Sequence, residues 1–409
     1  MKVVTSVNRP YLRLFNVWLA NSCRHFGIPL TVFCFDEPAF SHCTDIPDVE
    51  AVASYADREA FSEVDRASFW VRRLMAIRRL IDAGNPVVHT DIDAFWLQSP
   101  WPILDQIDAD FVFTMDMGIP EKVREDWGFT LCCGFYLARP SKSVKTFFAD
   151  WFKRTESLGD DQIALNDLIH ARNIEWQTQV SSATQFLRGK ISLDDGSELS
   201  IAVLPLAIAP RIAPFFAEGA ILAHPWFERP LFGCYLDLLE ITIQRYGTLR
   251  PEIERPHLLP GMSMREFDEC SLGAVMMIHA LDYALLAPPS LLSLRAALCL
   301  RNNCAIELAR TDLDNALKLS PDLVVSKIYR AKAYLLIDGN RREAKRSLRG
   351  IFRSEELELS TIKQIISLAI VSRSPVLVVQ GALAMAKSLG YARSFTLLIS
   401  SIRKRLASS

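Results

Sequence analysis

Through about residue 230 the chain alternates short apolar runs with segments whose apolar residues recur at helical spacing. The runs are KVVTSVN (2–8), LTVFCF (30–35), VEAVASY (49–55), PVVH (86–89), ADFVFTM (109–115) and TLCCGFYLA (130–138), with further strands near 201–205 and 220–224. Between the first two, Pro10 suits a first helical position. Tyr11, Leu14, Phe15, Trp18 and Leu19 then form one stripe, and Gly27 ends it. Over 66–83 the stripe is Trp70, Leu74, Ile77 and Ile81, stopped by Gly84-Asn85-Pro86. Helices are also expected over 141–156 and 160–172. Strands that alternate with helices need crossover connections, and these produce an α/β fold: a mixed, mainly parallel sheet covered by helices on both faces. Ligands of such sheets bind beyond the carboxyl ends of the strands.

At 409 residues the chain exceeds one ordinary core. The pattern changes after about residue 250, so the expected organisation is an α/β domain over 1–250, a connecting segment rich in proline and charge over 251–285, and an all-α domain over 286–409. In the last, Ala297, Leu300, Ala309, Leu313, Ala316 and Pro321 match the spacing of a tetratricopeptide-type hairpin. A looser copy, which needs a one-residue insertion, runs through Ala331, Tyr334, Gly339, Ala344 and Leu348; the alternative is an unrelated small helical bundle. The formal net charge of −1 gives no electrostatic case for nucleic acid. Nine cysteines, an odd number without paired CxxC motifs, read as buried thiols of a cytoplasmic protein. The first residues lack a signal peptide's apolar region, and no apolar run reaches the roughly 18 residues of a membrane helix. Arg342, Lys345, Arg346, Arg349 and Arg353 recur at helical spacing, and Arg403-Lys404-Arg405 follow. Their ordinary reading is a solvated face. The alternative is peripheral contact with an anionic membrane surface or a polyanionic acceptor.

The run Val87-Val88-His89-Thr90-Asp91-Ile92-Asp93-Ala94-Phe95-Trp96-Leu97 sets two carboxylates between apolar flanks. In extended backbone Asp91 and Asp93 would share one side, roughly 6.5–7 Å apart. Like charges that close need a positive partner, and a hard divalent cation, Mn²⁺ or Mg²⁺, is the natural one. Two solvated loop aspartates would be the bland alternative, which the buried flanks disfavour. On the helix from 160, Asp161 lines up with Leu165, Leu168 and Ile169, so it faces inward while Asp160 caps.

An apolar strand followed by D-x-D, an aromatic/apolar pair and a proline (TDIDAFWLQSP) resembles the nucleotide-diphospho-sugar transferase family, glycosyltransferases of GT-A fold. The resemblance continues in order through Cys132-Cys133-Gly134-Phe135-Tyr136, Asp161-Gln162-Ile163-Ala164-Leu165-Asn166 and His224, and covers roughly residues 1–230. Cys132 stands where the family has asparagine, and Pro225-Trp226 follow the histidine in place of small polar residues. The resemblance implies that Asp93 ligates the metal, that Asp91 contacts metal, ribose or both, and that His224 is a third ligand. It also implies that Asp161 belongs to the catalytic site, with Gln162 and Gly134 beside the donor. Thr5, Asn8 and Tyr11, at the end of the first strand, would contact base or ribose, although Asn8 could simply cap the next helix. Arg66 and Arg73 border the buried stripe of their helix and would contact the donor. The implied reaction moves a sugar from a nucleoside diphosphate, a UDP-sugar, to a saccharide, lipid-linked glycan or protein, with retention of anomeric configuration.

Two other readings of D-x-D exist. In a haloacid-dehalogenase-type phosphatase Asp91 would be the nucleophile, but that motif opens its domain and continues into a Gly/Thr loop rather than Ala94-Phe95-Trp96. A pyrophosphorylase-like nucleotidyltransferase would need a glycine-rich phosphate loop after the first strand, which this chain lacks. A different class, an inactive interaction protein acting through its helical region, sits poorly with two intact aspartates.

Overall fold

The computed structural model describes residues 1–54, 66–182, 184–211, 214–216, 219–225, 231–249, 269–283, 287–336, 339–349 and 359–372, and a few isolated positions beyond. The chain divides into two compact units, Met1–Pro225 and Trp226–Ser409.

In the first unit the apolar runs become strands. In chain order these are β1 (Lys2–Val7), β2 (Leu30–Cys34), β3 (Val49–Ala53), β4 (Val87–Thr90), β5 (Phe95–Trp96), β6 (Phe111–Asp116), β7 (Thr130–Ala138), β8 (Gln177–Val180), β9 (Gln185–Ser192), β10 (Glu198–Leu204) and β11 (Leu222–Ala223). The helices are α1 (Leu12–Asn21), α2 (Glu37–Thr44), α3 (Arg66–Asp82), α4 (Trp101–Leu104), α5 (Glu121–Trp127), α6 (Lys142–Leu158) and α7 (Asp161–His170). The nine-stranded sheet has the order β3-β2-β1-β4-β7-β6-β10-β9-β8. The pairs β3/β2, β2/β1, β1/β4 and β6/β10 are parallel, whereas β4/β7, β7/β6, β10/β9 and β9/β8 are antiparallel. Only β7 and β9 are therefore reversed, and the expected mixed, mainly parallel sheet is what forms.

Helix α6 starts at Ser141, whose Oγ accepts from the Val144 amide at 3.1 Å, and stops at Gly159, whose φ of 72° suits a residue without Cβ. Its apolar side carries Val144, Phe147, Phe148 and Trp151. Those rings meet Phe111, Phe113 and Tyr136 from the sheet in one buried cluster that also takes in Leu74, Ile77 and Ile81 of α3. On the other side of β4, Phe15 and Trp18 of α1 lie near Trp96 and Phe135, all buried. Helix α1 ends at Asn21, short of Gly27, because residues 22–27 form turns, with the Gly27 amide donating to Arg24 O. The β8–β9 hairpin was not expected. QTQV is polar and largely exposed, so the strand is held by pairing rather than by burial.

The second unit contains α8 (Phe232–Tyr246), α9 (Glu269–Tyr283), α10 (Pro289–Arg301), α11 (Ile306–Leu319), α12 (Val324–Leu336), α13 (Arg341–Ser347) and α14 (Leu359–Val371). Residues 251–268, 284 and 285 of the expected connecting segment lie outside the described residues. Helix α10 is buried on every side from Leu291 to Leu300, with α8, α9, α11 and α12 packed around it. A helix in that position exposes no polar face, so its one charged residue within that stretch must be matched. Arg295 Nε and Nη2 donate to the two carboxylate oxygens of Asp312, each at 2.8 Å. Among the described residues no helix is long and apolar enough to cross a membrane.

Candidate active site

Strand β4 ends at Thr90 and the chain turns at once. The Asp91 amide donates to Gly134 O (2.6 Å), and the Ala94 amide donates back to Asp91 O (3.0 Å). The extended D-x-D geometry expected from the strand is thus replaced by a turn, with Ile92 buried beneath it. The turn is anchored from below: Trp18 Nε1 donates to Ala94 O at 2.8 Å, and the Trp96 amide to Ser22 Oγ at 3.0 Å. Strand β5 follows and pairs with β11 in the register Leu222↔Trp96 and Ala223↔Phe95. That register delivers the next residue, His224, to the turn, and its Nε2 lies 3.1 Å from Asp93 Oδ1. Asp91, Asp93 and His224 each offer a ligand atom, and all three atoms lie within 4.8 Å of one another. Two carboxylates and an imidazole form a donor set suited to Mn²⁺ or Mg²⁺, with positions left for phosphate oxygens.

Close packing around His224 explains the glycine in the next strand. A Cβ on Gly134 would lie 1.9 Å from His224 Cε1, so any side chain there would displace the imidazole. The backbone around it is irregular. Phe113 faces Tyr136, but Thr114 faces Cys132, so residues 133–135 bulge from the β6 ladder. Cys132 Sγ then lies 3.5 Å from His224 Nδ1 and 3.7 Å from Arg211 Nη1. Burial lowers the His224 pKa and Arg211 acts in the same sense, but Cys132 and the Asp93 carboxylate outweigh both and raise it to about 10. Burial pushes the neighbouring Cys133 thiol well above its ordinary value, which keeps it inert.

Below the turn the charges are matched by Arg73, whose side chain is almost fully buried on α3. One nitrogen donates to Asp91 Oδ1 at 2.7 Å and the other to Asp161 Oδ2, while the guanidinium lies 4.6 Å from the Trp70 ring centre. Asp161 is 4% exposed at the start of α7, and Asp160 caps that helix by accepting from the Ile163 amide. Burial would raise the Asp91 carboxyl, but Arg73 and the hydrogen bond from His89 hold it well below the usual carboxylate range. For Asp161, burial raises the carboxyl and Arg73 opposes it. Gln162 and Asn166 fix β7 from the side. Gln162 Oε1 accepts from the Cys133 amide at 3.3 Å, while Asn166 accepts from Leu131 N (2.8 Å) and donates to Leu131 O (2.9 Å). Gln162 Nε2 donates to Asp116 Oδ2 at 3.0 Å, and Arg211 Nε lies 3.4 Å from Asp116 Oδ1.

Asp116, Arg211 and His89 were missed in the sequence reading. Asp116 could have been found, because it lies at the carboxyl end of β6, where sheet ligands bind. Arg211 carries no local signal.

At the carboxyl end of β1 three buried oxygens, Thr5 Oγ1, Ser6 Oγ and Asn8 Oδ1, have no protein partner. Asn8 precedes the 3₁₀ turn Arg9–Tyr11 but its side chain does not cap it, and Tyr11 is half-buried beside it. Unmatched oxygens in the interior cost free energy, so a polar ligand or water is the expected partner. Arg66 opens α3, but its side chain lies outside the described residues. A separate cavity of about 660 Å³ opens at the amino ends of β1–β3 between Lys2, Glu50 and Trp101. It lies at the opposite strand ends from Asp91 and Asp93 and contains none of the residues of their site.

The chain is similar in part to known proteins. Two curated relatives from Arabidopsis thaliana, UDP-D-xylose:L-fucose alpha-1,3-D-xylosyltransferase 1 and a second of the same activity, are each 24% identical over 217 residues. Those matches cover 44% of this chain and 58% and 57% of the relatives, so the chain spans little more than half their length. Solved structures overlap more loosely. The galactosyltransferase LgtC with donor and acceptor sugar analogs is 11% identical at a TM-score of 0.38, covering 60% of this chain and 96% of that one. Mouse xyloside xylosyltransferase 1 is 9% identical at 0.33, covering 55% and 96%. Residues 29–220 match the sequence model described as nucleotide-diphospho-sugar transferase. That span, which is similar to the nucleotide-diphospho-sugar transferase family, carries the turn with both aspartates, the bulged β7 and the Asp161–Gln162 helix start.

Proposed function

We propose that this protein is a metal-dependent glycosyltransferase that moves a sugar from a UDP-sugar to a saccharide, lipid-linked glycan or protein acceptor, with retention of anomeric configuration. The observation that carries the reading is the convergence of Asp91, Asp93 and His224 at the carboxyl edge of the sheet. A bound Mn²⁺ or Mg²⁺ there supplies Lewis-acid stabilisation of a departing diphosphate. The rest belongs to the chain itself. Thr5, Ser6 and Asn8 offer unmatched oxygens to a base and ribose, and Tyr11 a ring beside them. Arg73 and Asp161 sit where the donor sugar would lie: a fixed positive charge and an inward carboxylate held against it can orient hydroxyls and favour an oxocarbenium-like centre. Gly134 leaves room for the imidazole, and Gln162 ties Asp161's helix to the bulge. The names of the Arabidopsis relatives, both users of UDP-xylose, support a UDP donor.

A cytoplasmic setting with peripheral membrane contact goes with this function, since Arg341, Arg342, Arg346 and Arg349 are exposed on and after α13. Arg353 and Arg403–Arg405 lie outside the described residues. The helical pairs α10–α11 and α12–α13 would act as a repeat-like scaffold.

The test is a panel of nucleotide sugars with and without Mn²⁺, following release of free nucleotide. At least one UDP-sugar is hydrolysed or transferred only with metal, and Asp93→Ala abolishes release while the circular dichroism spectrum is unchanged. An inert panel at every metal concentration would overturn the enzyme reading. The anomeric coupling constant of the product decides retention.

A further inference from the structure

The second residue before the first aspartate is a histidine, and it is fully buried. Residues alternate in β4, so Val87 and His89 project to the same face, and the Asp91 carboxylate at the start of the turn lies beside the His89 ring. His89 stands directly opposite Tyr136 in the β4/β7 ladder, with ring centres 5.1 Å apart, which locks the imidazole plane. Its Nε2 lies 3.1 Å from Asp91 Oδ1, the same oxygen that takes Arg73 Nη1 at 2.7 Å. The opposite ring nitrogen, Nδ1, is buried with no partner. Only the tautomer with the proton on Nε2 lets this ring donate to the carboxylate.

We propose that His89 is a positioning residue: it pins Asp91 through Oδ1 so that the other carboxylate oxygen stays directed to the cation shared with Asp93 and His224. The role rests on the metal reading of that triad. Arg73 is shared between Asp91 and Asp161, so it alone does not fix the Asp91 carboxylate. Among the described residues the His89 side chain bonds only Asp91, and it is fully buried, so it is a second fixed donor to that oxygen. Hydrogen bonds of this kind, behind the ligands themselves, typically set metal affinity by about 10–100-fold.

The test uses Mn²⁺ titration of the nucleotide-free protein, with free Mn²⁺ read by electron paramagnetic resonance. His89→Leu removes the donor, and His89→Gln keeps an N–H able to reach the same oxygen. The expected result is a loss of about 10–100-fold in Mn²⁺ affinity for His89→Leu, largely restored in His89→Gln, with both variants folded by circular dichroism. Unchanged affinity in His89→Leu, or equal loss in both variants at equal melting temperature, overturns the role. If His89→Leu does not fold, His89→Gln decides through its KM for Mn²⁺ against kcat: wild-type values uphold the role, and a fall in kcat alone overturns it. Wild type that takes up no Mn²⁺, like Asp93→Ala, would instead overturn the metal reading itself. Wild type that binds while His89→Leu is indifferent overturns only this proposal.

Discussion

Single residues in this site are constrained by what presses against them. Gly134→Ala puts a methyl group within 1.9 Å of the unmoved His224 ring, so the imidazole must swing away from Asp93. Mn²⁺ affinity should fall by at least about tenfold in a protein whose melting temperature is little changed, read by titration and calorimetry. Arg73→Met deletes a buried cation that faces two carboxylates. The remaining Asp91 and Asp161 charges should cost about 3–5 kcal/mol of stability, visible as a lower denaturant midpoint. The His224 proton gives a pH signature. With its pKa raised to about 10 from 6.5, the metal-free protein keeps the imidazolium against Asp93 at neutral pH. Its contribution to stability is fully present below pH 6.5 and lost as pH rises through about 10. A metal needs the neutral ring, so Mn²⁺ uptake releases a proton and tightens with rising pH across the neutral range, measurable by calorimetry in buffers of different ionisation enthalpy.

Among the elements, β7 does more than pair. Its departure from the β6 ladder at residues 133–135 creates the hollow that His224 fills, and beyond Phe135, where the pairing with β4 has ended, Asn166 of α7 bonds both the amide and the carbonyl of Leu131. Asn166→Ala leaves those two backbone groups unmatched in the interior, at a cost of about 1–3 kcal/mol. Hydrogen exchange at the Leu131 amide should quicken more than at β1. The positions of β7 and α7 were readable from their apolar pattern, and so was the assignment of Asp160 as cap and Asp161 as inward residue. The bulge was not, because a run of nine buried residues, TLCCGFYLA, reads the same with or without it. The turn at Asp91 was hidden for a similar reason: D-I-D reads the same as an extended continuation of the strand or as a turn, and the Ala94 amide bond to Asp91 O forms where Trp18 and Ser22 hold the chain that follows.

At the scale of the whole molecule, each unit has its own buried charge pair. Arg295 and Asp312 lie inside the helical unit, at 2% and 3% side-chain exposure, away from the triad's elements in sequence. Asp312→Ala should destabilise the helical unit by about 3–5 kcal/mol, splitting the melting curve, while Mn²⁺ affinity stays at the wild-type value. What the chain determines by itself is the alternation of strand and helix, the placing of Asp91 and Asp93 at a strand end, and which side of α7 faces inward. All of these are local, because periodicity records burial residue by residue. Only the tertiary structure decided which distant groups meet them. His224 reaches Asp93 across 131 positions through the two-residue pairing of β5 with β11, and Arg73, Asp116 and Arg211 arrive from three other elements. Pairing over such distances depends on register and packing summed across the sheet, and no short stretch of sequence holds that information.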